Sequence, residues 1–169
     1  MDFIVTRVQE AYNQLLQSGD SRVQSWPLVN SPFPTMAICL SYAFFVNKVG
    51  PRLMKNRKPL DIRWLMVGYN LIMVGISTYL FYGLGVYGWF GKYDYRCQPV
   101  DYTNSKDAIG MASFAWYYYI TKFIEFADTL FFVMRKKFDH ISTLHVVHHG
   151  IMPMRLVLSL TTTTFDPHV

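Results

Sequence analysis

Residues 65–91 read LMVGYNLIMVGISTYLFYGLGVYGWFG, a block without a single Asp, Glu, Lys or Arg. A helix needs about 20 largely apolar residues to cross the hydrocarbon core of a bilayer, and this block is long enough. A second uncharged block runs from Val23 to Asn47. The competing reading of one such block is a buried helix in a large soluble core, but two of them are hard to bury in a chain of 169 residues.

The pattern therefore predicts an all-α, polytopic transmembrane protein of about three to four spans. Its composition, 51% hydrophobic and 17% aromatic with a mean hydropathy of +0.14, agrees. The first span is expected over about 28–47, with Pro32 and Pro34 in its first turn, where a missing amide donor costs nothing. The second is expected over about 64–83. A third apolar stretch, Ala108 to Met134, ends against Arg135, Lys136 and Lys137. Between the second and third lies a connection from Leu84 to Asp107, rich in Gly and Tyr and without net charge.

Met1 to Arg22 is polar and mixed in charge, unlike the basic start and apolar core of a secretory signal. The first span then reads as a retained anchor. The formal charge of +5 and pI near 9.2 do not indicate nucleic-acid binding, because the basic residues cluster at the ends of apolar blocks. Lys48, Arg52, Lys55, Arg57, Lys58 and Arg63 follow the first span, and Arg135–Lys137 follows the third. The bias of Lys and Arg toward the cytoplasm puts both clusters in the cytosol, and the amino terminus and the loop holding Cys97 in the lumen.

Two cysteines, Cys39 and Cys97, support neither a disulfide framework nor a cysteine zinc site. Cys39 reads as packing. There is no Asn-x-Ser/Thr sequon, internal repeat or heptad, and Thr161–Thr164 is the only short biased run.

Lys122, Glu125 and Asp128 lie inside the third apolar stretch, where charge is costly enough to mark a functional site by default. On a continuous helix they spread over about 120°, and Thr129 returns to within about 20° of Lys122, so the four share one face. Lys122 and Glu125 are spaced to pair. An ion-paired seam that only ties helices together is the alternative.

Leu144 to Gly150 reads LHVVHHG, gathering three of the chain's five histidines. His145, His148 and His149 fall within a helical wedge of about 100° and can face one cavity as acids, bases, nucleophiles or ligands. His140 and His168 read as ordinary structural histidines.

The box His145-x-x-His148-His149, preceded by Lys122-x-x-Glu125-x-x-Asp128-Thr129 and followed by the run HHGIMPM, resembles the elongase (ELO) family of 3-oxoacyl-CoA synthases. The resemblance covers about Met1 to Met154. It divides the chain into a polar lumenal segment (1–27), an elongase-like transmembrane region (28–154) and a divergent tail (155–169). It implies half of a seven-helix barrel around an acyl tunnel, with several helices expected to lie beyond the resemblance and the tail resembling unrelated sequence.

It also implies condensation of an acyl-CoA with malonyl-CoA in the endoplasmic reticulum membrane, giving a 3-oxoacyl-CoA two carbons longer and releasing carbon dioxide. No metal or redox cofactor is implied. The lipid bilayer and other elongase subunits are the implied partners, and nucleic acid is not. His148 is the expected nucleophile, His145 and His149 its helpers, and Lys122, Glu125, Asp128 and Thr129 a supporting polar network.

Two other readings remain open on the residues. A membrane di-iron desaturase also uses such a histidine box, but it needs an earlier ligand box, and no histidine precedes His140. A truncated, inactive product that associates with intact elongases would use the same residues for packing alone.

Overall fold

A computed structural model describes residues 5–7, 9–10, 20 and 22–161. Helices joined by turns and irregular loops make up the described residues, and no strand is found among them. His168, most of the expected tail and most of the segment before Val23 lie outside the described residues.

Helix α1 spans Pro32–Phe44. The Ser31 hydroxyl accepts the Phe33 amide at 3.3 Å, and proline at the first position needs no donor there. The backbone continues through one wide π turn, Phe45–Val49, into the short helix α2, Gly50–Met54. Helix α3, Arg63–Leu84, likewise runs on through a π turn at Gly85–Trp89. Helix α4, Lys106–Ile124, is capped by the Ser105 hydroxyl, which accepts the Ala108 amide at 3.1 Å. Only Glu125 separates α4 from α5, Phe126–Met134. A 3₁₀ turn, Phe138–His140, leads to α6, Thr143–Thr161.

The three apolar stretches thus form helices close to their expected bounds. One boundary differs: the Gly-rich residues 85–89, expected in the connection after the second span, prolong α3. Close packing accounts for this. A Cβ on Gly83 would stand 2.0 Å from the Phe114 ring, and one on Gly110 would stand 2.3 Å from the Tyr87 ring. The glycines let α3 and α4 approach closely, a use of small residues typical of helix pairs in lipid.

Helix α6 packs most extensively on α1 and also on α4, α3 packs on α4, and α2 packs on α5. The central cluster is Cys39, Tyr42, Val46, Met54, Phe126, Val133 and Val146. Cys39 is buried there, and Cys97 is exposed. Pro153, inside α6, is fully buried. Having no N–H, it leaves the carbonyl of His149, four residues earlier, without its usual helical donor. Helix α6 continues past Arg155 to Thr161 without interruption.

The two basic segments meet at one end of the bundle. The Leu60 amide donates to the Met134 carbonyl at 3.1 Å, and Lys136 Nζ donates to the Lys55 carbonyl at 3.2 Å. At the other end the segment before α1 is tied to the loop before α4. Arg22 pairs with Asp20 at 2.5 Å and donates to the carbonyls of Asp101 and Thr103, while Trp116 Nε1 donates to the Pro27 carbonyl at 3.0 Å. The Arg22 guanidinium, bonded to it, holds the Asp20 carboxyl below the usual carboxylate range.

Among the described residues one helix, Arg63–Trp89, is long and apolar enough to cross a membrane. Only 22% of its most apolar stretch is buried, whereas a core helix of a soluble protein would be covered on most sides. Trp64, Leu65, Leu71, Ile72, Val74, Phe81 and Tyr82 all stand exposed. By length and composition alone the count is therefore one, against the three to four expected. The other long helices are diluted by polar groups: Lys48 and Arg52 after α1, Lys122, Glu125 and Asp128 along α4 and α5, and the histidines and Arg155 in α6.

Candidate functional site

Lys122 of α4, Glu125 at the joint, Thr129 of α5 and the histidines of α6 come together beside the central cluster. Lys122 Nζ bonds Glu125 Oε1 at 2.5 Å, with only 13% and 22% of the two side chains exposed. The ammonium also lies 4.4 Å from the centroid of the Tyr118 ring. The other Glu125 oxygen stands 4.0 Å from His149 Nδ1. Glu125 therefore faces a lysine on one side and an imidazole on the other, and it occupies the joint between the two helices.

Thr129, fully buried on α5, makes the second connection. Its hydroxyl lies 2.9 Å from His145 Nε2 and 2.7 Å from the Tyr42 hydroxyl. The Tyr42 ring stacks on Phe126 at 4.1 Å, which fixes where its phenol points. At the start of α6 the His145 amide donates to the Ser142 hydroxyl, at 3.1 Å. The ring centroids of His145 and His149 are 4.5 Å apart, and that of His148 is 5.6 Å from His149.

The three histidines thus lie together, as the helical wedge predicts, with unequal surroundings. His145 and His149 are part-buried and held from α4 and α5, while His148 is exposed at the edge of the group. Of the expected supporting network, Glu125 and Thr129 reach the histidines, and Lys122 is joined to them through Glu125. Asp128 does not; its carboxylate lies beside the Tyr69 hydroxyl of α3, whose single proton has two nearby acceptors, that carboxylate and the Ile124 carbonyl at 3.3 Å. His140 stacks on Phe132, whose ring also meets that of His145 edge-on at 6.2 Å.

Among the described residues no three His, Cys, Asp or Glu side chains are grouped as metal ligands. A hollow of about 430 Å³ lies between the basic segments and is lined by Pro59, Leu60, Asp61, Arg135, Lys136 and Lys137.

Residues 27–168 match the GNS1/SUR4 (ELO) family. The chain belongs to this family. The match extends beyond Met154, as α6 itself does. The chain is 49% identical over 155 residues to a very long chain fatty acid elongase of Aedes aegypti, an alignment covering 91% of this chain and 43% of the mosquito protein. It is 48% identical over 155 residues to very long chain fatty acid elongase 7 of Drosophila melanogaster, covering 91% of this chain and 47% of the fly protein. With human very long chain fatty acid elongase 1 it shares 42% over 146 residues, covering 86% of this chain and 52% of the human protein. The chain spans about half the length of these relatives.

In this ELO-family chain, sequence reasoning missed Tyr42 and Tyr69, the phenols that meet Thr129 and Asp128. With 12 tyrosines, most of them on apolar helices, nothing in the sequence separates a phenol at the site from one that packs. Pro153, four residues after His149, was a legible signal of an altered helical carbonyl beside the histidines.

Proposed function

We propose that this chain supplies the histidine-bearing part of a condensing enzyme that joins a long-chain acyl-CoA to malonyl-CoA in fatty acid elongation. The observation that carries this reading is the anchoring of a paired His145 and His149 on Thr129 and on the Lys122–Glu125 ion pair, in a chain of the ELO family. Each half of that arrangement uses residues of the two boxes, so one geometry accounts for both.

In the proposed reaction His148 attacks the acyl thioester carbon, forming an acyl-imidazole and releasing the CoA thiolate. Malonyl-CoA then loses carbon dioxide, and the resulting enolate carbon attacks the acyl-imidazole. A carbon–carbon bond forms, the carbon–nitrogen bond breaks, and His148 is regenerated. The exposure of His148 suits a group that must be acylated, and the held positions of His145 and His149 suit groups that move protons or stabilise thioester oxygens. No metal or redox group enters these steps.

The enzyme belongs, on this reading, in the endoplasmic reticulum membrane as a multi-pass protein of three to four spans over these residues. The apolar, largely uncovered α3 supports lipid contact, and the meeting of both basic segments at one end supports a cytosolic mouth for the CoA groups.

The test is malonyl-CoA incorporation by microsomes of cells lacking their own elongases, expressing a chimera in which residues 1–161 replace the aligned part of the fly relative. The chimera is expected to elongate an acyl-CoA, and its His148→Ala variant to lose about 10²-fold or more in rate at an unchanged protein level. Wild-type rates in the variant would overturn the role of His148. Iron in the purified active chimera, with activity following its removal and return, would favour a metal-dependent reaction instead.

A further inference from the structure

The Tyr42 hydroxyl, the Thr129 hydroxyl and His145 Nε2 form a chain across α1, α5 and α6, with steps of 2.7 and 2.9 Å. Tyr42 is 6% exposed and Thr129 fully buried. Each hydroxyl has one proton to donate, and among the described residues neither has another side-chain or backbone partner. The proton count then decides the direction.

If Tyr42 donates to Thr129 and Thr129 donates to His145 Nε2, every proton in the chain has an acceptor. If Nε2 instead bears the proton and donates to Thr129, one hydroxyl proton is stranded. Either Thr129 turns its own proton to Tyr42 and leaves the phenol proton without an acceptor, or Thr129 accepts twice and its own proton is left over. A buried donor with no acceptor is strongly disfavoured.

We infer that Thr129, which accepts from Tyr42, is the positioning residue that holds His145 with Nε2 bare and its proton on Nδ1. This is the minor tautomer of a free neutral imidazole, so the protein imposes it. His145 then has its Nε2 lone pair occupied and offers an N–H on the other nitrogen. It is equipped to donate a hydrogen bond, not to attack a carbonyl carbon, and attack is left to its neighbours. The tautomer stands on this geometry alone; its use in condensation rests on the function proposed above.

The experiment is ¹⁵N NMR of the chain, labelled at histidine, in lipid bilayers at a mildly alkaline pH, with the His145 signals identified by their loss in His145→Gln. The expected result is a pyrrole-type Nδ1 and a pyridine-type Nε2 for His145. Tyr42→Phe removes one oxygen and keeps the ring stack on Phe126. Thr129 then keeps its one proton and Nε2 as its one acceptor, so the wild-type pattern is expected; Thr129→Val removes that donor, and signal is expected to move to the Nε2–H form. Thr129→Ser keeps the hydroxyl and is expected to keep the wild-type pattern.

A protonated Nε2 in the unaltered chain overturns the inference without recourse to any variant. So does an unchanged pattern in Thr129→Val, or loss of the Nδ1–H form in Thr129→Ser or Tyr42→Phe. The readout is independent of turnover. A chimera that elongates while His145 bears its proton on Nε2 removes this inference and leaves the proposed function; the Nδ1–H form in an inactive chimera does the reverse.

Discussion

Glu125 takes part in two contacts at once, the 2.5 Å pair with Lys122 and the 4.0 Å approach to His149. Replacing Lys122 by Leu leaves that carboxylate part-buried with its principal partner gone. Removing one side of a charged hydrogen bond typically costs about 1.5–3 kcal/mol. The expected outcome is a lower unfolding temperature in detergent together with slower malonyl-CoA incorporation by the chimera, and restoration of both by Lys122→Arg is expected to be partial. Unchanged stability and turnover in Lys122→Leu would reduce the pair to an incidental surface contact. Helical periodicity made the proximity of these residues legible, because the spacings 122–125 and 145–149 place side chains one turn apart. It treated Asp128 and Thr129 as members of the same face, whereas Asp128 is turned to Tyr69 of α3 and Thr129 to Tyr42 of α1. A period assigns a residue to a face of its own helix. Which neighbouring helix covers that face depends on packing between distant segments, and that information is not local in the chain.

Helix α5 ends in a motif that the sequence does not favour. The Lys137 amide donates to the Phe132 carbonyl at 2.9 Å and the Lys136 amide to the Val133 carbonyl at 3.0 Å, with Lys136 in the left-handed region at φ 56°. This is the six-to-one and five-to-two pattern in which the left-handed position is usually glycine. A side chain there costs about 1 kcal/mol, so Lys136→Gly is expected to raise stability by about that amount, less whatever the charge contributes at the helix end. Thermal unfolding of the two chains in the same detergent measures it, and a destabilised glycine variant would mean that the lysine's bond to the Lys55 carbonyl outweighs the backbone strain. Gly83 poses the opposite case. Its missing Cβ leaves room for the Phe114 ring, which is held on its other sides by Tyr79, Tyr87 and Tyr117. Gly83→Ala is expected to destabilise by about 1–3 kcal/mol through overpacking, and a neutral result would show that the ring can move aside. In sequence, the glycines after residue 83 look like the punctuation of a loop. A glycine that breaks a helix and one that admits a neighbour are the same letter, and only the Phe114 and Tyr87 rings across the interface tell them apart.

At the scale of the molecule, charge is sorted between the two ends of the bundle. The basic segments around Lys48–Arg63 and Arg135–Lys137 meet through the Leu60–Met134 and Lys136–Lys55 bonds, while the loop bearing Cys97 and the segment around Arg22 lie together at the other end. Between the ends runs α3, whose 27 residues through Trp89 reach about 40 Å at 1.5 Å per residue and leave most of their apolar surface uncovered. A helix with these properties suits lipid, and on the function proposed above the preference of Lys and Arg for the cytoplasmic side puts the basic end in the cytosol. In sealed microsomes the prediction is that Cys97, exposed in its loop, stays unlabelled by a membrane-impermeant maleimide until the membrane is opened. A cysteine placed at Lys137, in a chain whose Cys97 is replaced by Ser, is expected to label at once. Cys39, buried against Tyr42 and Phe126 in the central cluster, is expected to contribute little signal in either case. Immediate labelling of Cys97 in intact microsomes would invert the topology, remove the basic hollow between Asp61 and Lys137 from the cytosol where acyl-CoA and malonyl-CoA are expected, and so count against the proposed reaction as well as the orientation.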